Sequence, residues 1–193
     1  MNLPNLVTLS RIFLTVILWF LCDQVNVWAA FLAAVVFALA AFTDLFDGML
    51  ARKYNQITTF GKILDPIADK ILVLTAMFIF ASQEILSWWM VLLIAAREIL
   101  VTASRVFLLT EGKVIPAEAA GKFKTIWQIT TISLVLIYRF LWIWTPTQEW
   151  MGNVDVTFSL VIHVLMIAAL VLTWWSGGMY FWELKKAQGT KHN

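Results

Sequence analysis

Four aspartates, Asp44, Asp47, Asp65 and Asp69, lie within 26 residues and make up four of the chain's 12 acidic residues. Apolar runs flank them, AAVVFALAAF before and ILVLTAMFIF after. Asp44 and Asp47 are three apart and Asp65 and Asp69 four apart, so on helices each pair shares a face. At the helical turn per residue, Asp44, Asp47, Gly48 and Ala51 fall within roughly 100° of arc, with Arg52 at the edge. Gly61, Asp65 and Asp69 fall within roughly 80° on a second helix. A short polar turn, 53–60, joins the two. A helix, a tight turn and a second helix would point four carboxylates across one narrow gap.

Unpaired, these carboxylates repel one another and are costly to desolvate near a membrane core. Protonation is one remedy; a divalent cation is the better one. Oxygen donors with no His or Cys nearby favour Mg²⁺ or Mn²⁺ over Zn²⁺. Four carboxylates suit two ions that clamp the attacking and leaving oxygens of a phosphoryl group. Gly48 and Gly61 would let a ligand or another backbone approach closely.

Asp44, Asp47, Gly48, Ala51, Arg52, Gly61, Asp65 and Asp69 match the pattern D-x2-D-G-x2-A-R-x8-G-x3-D-x3-D at every fixed position. This resembles the signature of the CDP-alcohol phosphatidyltransferase family. From Pro4-Asn5 to the tryptophan-rich last helix, the chain is similar to the branch that makes phosphatidylglycerophosphate in bacteria. The resemblance implies transfer of a phosphatidyl group from CDP-diacylglycerol to sn-glycerol 3-phosphate, with release of CMP. It implies two ions, Mg²⁺ or Mn²⁺, on Asp44, Asp47, Asp65 and Asp69. It gives Asp69 the further, catalytic task of deprotonating the acceptor hydroxyl. A carboxylate beside two cations is a weak base, so the metal would share that work. CDP-diacylglycerol would be bound by Asn5, Thr8, Asp47, Gly48, Ala51, Arg52, Thr58 and Gly61. A homodimer is implied as well. The signature is shared by cardiolipin synthases and phosphatidylinositol-phosphate synthases of the family, so only the acceptor pocket separates those readings. A divalent-cation transporter is the alternative from another class. It would need polar groups along a continuous path, whereas the acidic residues inside the apolar spans cluster toward one end.

Composition points to the elements that hold this motif. Of 193 residues, 61% are hydrophobic and 13% charged, and the mean hydropathy is +0.82. These values lie far outside the soluble range and predict an all-α, polytopic membrane protein. No linker, repeat or low-complexity tract divides it, so residues 1–193 are expected to form one domain. The single cysteine, Cys22, excludes an intrachain disulfide and a cysteine metal cluster. A net charge of +2 is too small to suggest nucleic acid; membrane lipids are the expected surroundings. The N-terminus has no cleavable-signal pattern.

Six transmembrane helices are expected, preceded by a short N-terminal interfacial helix over 2–10. The spans run from 12 to about 21, from about 28 into the Asp44 motif, and over about 61–81, 88–109, 122–144 and 156–182. Pro66 is expected to start or kink the third. Trp88-Trp89 read as an interfacial anchor, and most of the 11 tryptophans as belt and core. Turns 22–27, 82–87 and 145–155 contain no Lys or Arg. Arg11, Arg52, Lys53, Lys62, Lys113, Lys122, Lys124, Lys185, Lys186 and Lys191 lie at the opposite ends, and only Arg139 dissents. The positive-inside rule then places both termini and the aspartate motif on the cytoplasmic side, and the resemblance implies that the membrane is a bacterial inner membrane.

The fourth span carries Arg97, Glu98 and Arg105, expensive residues for a lipid-facing helix. Arg97 and Arg105 are eight apart and fall within roughly 80° of one face. With Lys122 and Lys124 at the start of the next span, they form the expected glycerol-3-phosphate site. Arginine forks suit a phosphate bidentately, and lysine adds a point charge. The plainer readings are a structural Arg97–Glu98 pair and positive-inside anchors at Arg105 and Lys122. Lys70 is expected to pair with the carboxylate cluster or to snorkel. His163 is expected to be a packed, hydrogen-bonded side chain. This topology is open to a labelling test. After replacement of Cys22, a cysteine at Ser82 should react with an impermeant thiol reagent from the periplasmic side. One at Gln188 should react only from the cytoplasmic side, and the reverse pattern would invert the orientation.

Overall fold

A computed structural model describes residues 3–54, 59–110, 120–145 and 151–189, with side chains for 9–43, 67, 70–108, 124–145 and 155–186. The described residues form helices and no strand: α1 (Leu3–Asp23), α2 (Val27–Tyr54), α3 (Thr59–Ser82), α4 (Trp88–Thr110), α5 (Ala120–Trp144) and α6 (Met151–Gly189). Among the described residues, a helix forms at the place of each of the six expected spans. Two stretches among the described residues, Lys124–Trp144 and Asp155–Lys186, are long and apolar enough, by length and composition, to cross a membrane; Val27–Thr43 and Lys70–Ser82 are shorter apolar stretches.

The N-terminal interfacial helix is a correction. It is not a separate element, because α1 runs unbroken from Leu3 to Asp23. No Gly or Pro lies between Asn5 and Asp23 to interrupt it. Thr15 Oγ1 donates to the Arg11 carbonyl at 2.9 Å, and Arg11 is buried in the bundle. Pro66 likewise does not begin α3, which starts at Thr59. Helix α6 extends past the expected 156–182 at both ends.

The helix ends are set by local chemistry. Asn26 Oδ1 accepts the Trp28 N–H at 2.8 Å and caps α2. At the end of α3, the Ile85 N–H reaches the Phe80 carbonyl at 2.9 Å and the Glu84 N–H reaches Ala81 at 3.0 Å. Glu84 lies between them with φ 60°. This is a Schellman stop, with a glutamate in the left-handed position that glycine usually fills.

Around the bundle the helices follow the order α1, α2, α5, α6, α4, α3 and close back onto α1, while α3 also touches α5 across the middle. The core draws on all six: Leu18, Phe37, Met77, Phe80, Ile94, Leu136 and Met166 are among its members. Ala30, Ala33, Phe37 and Ala40 form the buried stripe of α2, and its small residues permit close helix approach. The outer surface is apolar too: Phe20, Trp28, Phe42, Trp144, Val156 and Trp175 are all exposed.

Arg139 explains its own exception to the charge pattern. Its Nη1 donates to Gln83 Oε1 at 2.7 Å and its Nη2 to the Gln24 carbonyl at 2.8 Å. Gln83 Nε2 in turn donates to the Cys22 carbonyl at 2.8 Å. One guanidinium thus ties the C-terminal part of α5 to the ends of α1 and α3. At the same end, His163 Nδ1 lies 2.7 Å from the Ser159 carbonyl, and its Nε2 lies 3.4 Å from Ser87 Oγ. Arg139→Leu should lower stability by about 1–2 kcal/mol, read as a lower thermal midpoint in detergent. An unchanged midpoint would mean that the three helix ends are held by other contacts.

Candidate active site

Asp44, Asp47, Gly48, Ala51 and Arg52 stand on α2, and Gly61, Asp65 and Asp69 on α3. The helical spacing within each aspartate pair is therefore realised. Asn5 and Thr8 stand on α1 and Lys122 on α5. The side chains of all these residues, and Thr58 entirely, lie outside the described residues.

What the described residues bring together is a buried ion cluster that reaches α3 at Lys70. Its centre is Glu98 of α4, 2% exposed. Glu98 Oε2 lies 3.0 Å from Lys70 Nζ, and Lys70 follows Asp69 directly on α3. Glu98 Oε1 accepts from Arg97 Nη1 at 3.1 Å and from Lys124 Nζ of α5. Three helices thus send cations to one carboxylate. A buried carboxylate demands this, since its desolvation is repaid only by close partners on both oxygens.

Helix α6 closes the cluster. Arg97 Nη2 donates to Ser176 Oγ at 2.6 Å, and Ser176 Oγ donates to the Thr173 carbonyl at 3.1 Å. Gln128 Nε2 of α5 donates to Thr173 Oγ1 at 3.3 Å. Two turns along α4 from Arg97, the Arg105 guanidinium carbon lies 5.6 Å from the centre of the Tyr180 ring. That is within cation–π range. Arg97 and Arg105 therefore both face α6, as their eight-residue spacing required. The Nε atoms of both are buried and have no hydrogen-bond partner among the described residues.

Of the residues expected to bind an acceptor phosphate, Arg97 and Lys124 meet at Glu98, and Arg105 lies farther along α4. Lys70 pairs with Glu98. Among the described residues the cluster holds three cations and one carboxylate, an excess of positive charge suited to a small anion.

The profile of the family described as CDP-alcohol phosphatidyltransferase matches residues 1–182. The chain is also 37% identical over 180 residues to proteins of Salmonella choleraesuis (strain SC-B67) and Escherichia coli (strain K12). The alignments cover 91% of this chain and 90% of each relative. Both relatives carry the name CDP-diacylglycerol–glycerol-3-phosphate 3-phosphatidyltransferase. The chain belongs to the CDP-alcohol phosphatidyltransferase family.

Within a phosphatidyltransferase of this family, the aspartate signature was legible from sequence, and the Glu98 hub was not. Glu98 entered only as a neighbour of Arg97. The available signal was an acid in mid-span, since such a residue requires cationic partners from other helices. Ser176 and Tyr180 gave no signal beyond being polar positions on an apolar helix.

Removing Glu98 leaves buried cations without their counter-charge. Glu98→Gln should therefore cost about 3–5 kcal/mol of stability. Lys124→Met in the same chain should restore part of the loss, a coupling that thermal unfolding of the two single variants and the double variant would reveal. Additive losses would show that the two groups are not coupled.

Proposed function

We propose that this protein transfers the phosphatidyl group of CDP-diacylglycerol to sn-glycerol 3-phosphate, giving phosphatidylglycerophosphate and CMP. The observation that carries the reading is the Lys70–Glu98 contact at 3.0 Å. It joins the helix of the Asp65–Asp69 pair to a cation-rich cluster that fits a phosphate monoester. The relatives' name supports the same reaction.

In this reading the protein is a single domain of six membrane-spanning helices in a bacterial inner membrane. Both termini and the site face the cytoplasm, and the protein works as a homodimer. The exposed apolar side chains around the bundle support membrane insertion, because a water-facing surface of that kind is unfavourable.

The donor set fits hard divalent cations: four carboxylates, spaced three and four apart on two helices, with no nitrogen or sulfur ligand. Asp44, Asp47, Asp65 and Asp69 would hold two Mg²⁺ or Mn²⁺ ions, which supply charge stabilisation at the transferred phosphorus and the departing CMP. Asn5, Thr8, Gly48, Ala51, Arg52, Thr58 and Gly61 bind and orient the donor. Arg97, Arg105, Lys122 and Lys124 hold the acceptor phosphate and aim its free hydroxyl at the donor. The hydroxyl oxygen bonds to the diacylglycerol-bearing phosphorus, the bond from that phosphorus to CMP breaks, and the proton passes to an Asp69 carboxylate oxygen.

Release of CMP from CDP-diacylglycerol in detergent, with and without glycerol 3-phosphate, tests the reaction. Turnover should require the acceptor, cease in excess EDTA and be lost in Asp44→Asn and Asp65→Asn. Arg105→Gln should raise KM for glycerol 3-phosphate about tenfold, equivalent to about 1.4 kcal/mol, with little change for the donor. Full turnover in EDTA would overturn the metal chemistry, and unchanged acceptor kinetics in both Arg97→Gln and Arg105→Gln would overturn the acceptor site.

A further inference from the structure

Helix α6 carries two adjacent glycines that differ sharply in their surroundings. A Cβ built on Gly177 would stand 2.7 Å from Arg97 Nε, 3.3 Å from its Cγ and 3.5 Å from its Nη2. A Cβ on Gly178 would meet nothing within 4 Å. Glycine inside a helix is less stable than alanine, so each needs a reason outside the helix itself. For Gly177 the reason is Arg97, whose side chain occupies the volume that a methyl group would take. Arg97 cannot yield cheaply, because Ser176 Oγ at 2.6 Å and Glu98 Oε1 at 3.1 Å hold its two terminal nitrogens. Arg97 is 4% exposed, so a displaced guanidinium has no water to retreat into.

We propose that the Ser176–Gly177 step of α6 is a positioning and specificity-determining element for the acceptor. Ser176 anchors one guanidinium nitrogen and Gly177 leaves room for the rest of the side chain. Together they set where the Arg97 charge stands relative to Glu98, Lys70 and Lys124. The step touches no reacting atom; it acts through Arg97 on recognition of a small phosphate-bearing acceptor. The inference rests on the reading above, that Arg97 serves the acceptor phosphate.

The two glycines form a matched pair for the test. Full-length Gly177→Ala and Gly178→Ala enzymes are assayed in detergent with glycerol 3-phosphate and CDP-diacylglycerol varied in turn, and their thermal midpoints are measured. Gly177→Ala should raise KM for glycerol 3-phosphate about tenfold, with kcat and the donor KM within about twofold of wild type. Gly178→Ala should leave all three within about twofold. Ser176→Ala adds no bulk and covers a Gly177→Ala chain that fails to fold; it should raise the acceptor KM about threefold or more. If Ser176→Ala and a folded Gly177→Ala leave the acceptor KM unchanged while Arg97→Gln raises it, the positioning role is overturned and the acceptor site stands. If Arg97→Gln is also silent, the positioning role falls, and the acceptor site falls with it if Arg105→Gln is silent too. If Gly177→Ala lowers kcat and raises both KM values together with a drop in thermal midpoint, the step is only structural and the proposal is overturned.

Discussion

A carboxylate buried among helices is the constraint on which this end of the structure depends. Glu98 is almost fully removed from solvent, and both its oxygens are engaged by cations from α3, α4 and α5. Breaking such a pair by removing one member costs far more than the intact pair contributes, so the arrangement enforces geometry rather than supplying much stability. It holds the helix of the second aspartate pair against the two helices that carry the basic residues. Through Arg97 and Ser176 it draws in α6 as well. Four helices thereby meet around one charge.

The two ends of the bundle use polar groups differently. At the Glu98 end, three cations converge on one carboxylate among the described residues. At the other end, Arg139 is spent on Gln83 and the Gln24 carbonyl, and Gln83 on the Cys22 carbonyl. These contacts satisfy groups that helix ends would otherwise leave unpaired in an apolar setting. Arg139 is thus a structural tie, and its departure from the charge pattern needs no change of orientation to explain it.

The family and the helical class were legible in the chain itself. Eight residues at fixed spacing identified the signature, and runs of apolar residues broken by short polar turns marked α3, α4 and α5 within two residues of their ends, while α1 and α6 run further than the apolar runs alone suggest. Those features are local: helical periodicity, turn chemistry and the need for about 20 apolar residues per span act on neighbouring positions. The error at the N-terminus was also local. A separate helix over 2–10 was expected, yet no Gly or Pro there breaks a helix and α1 runs unbroken from Leu3 to Asp23, with Arg11 buried.

Sequence alone supplied the candidate residues for metal and phosphate, and it determined that Arg97 and Arg105 share a face of α4. Only tertiary structure decided which helix that face meets. It also brought together Lys70, Glu98 and Lys124, which are separated by 28 and 26 positions. No periodicity links residues on different helices, because their pairing depends on the order of helices around the bundle. That order, with α6 between α4 and α5, sets Ser176 and Gly177 against Arg97. An ion in an apolar interior must find its partner wherever the bundle places one, so the need for a partner is written in the sequence and its identity is written in the fold.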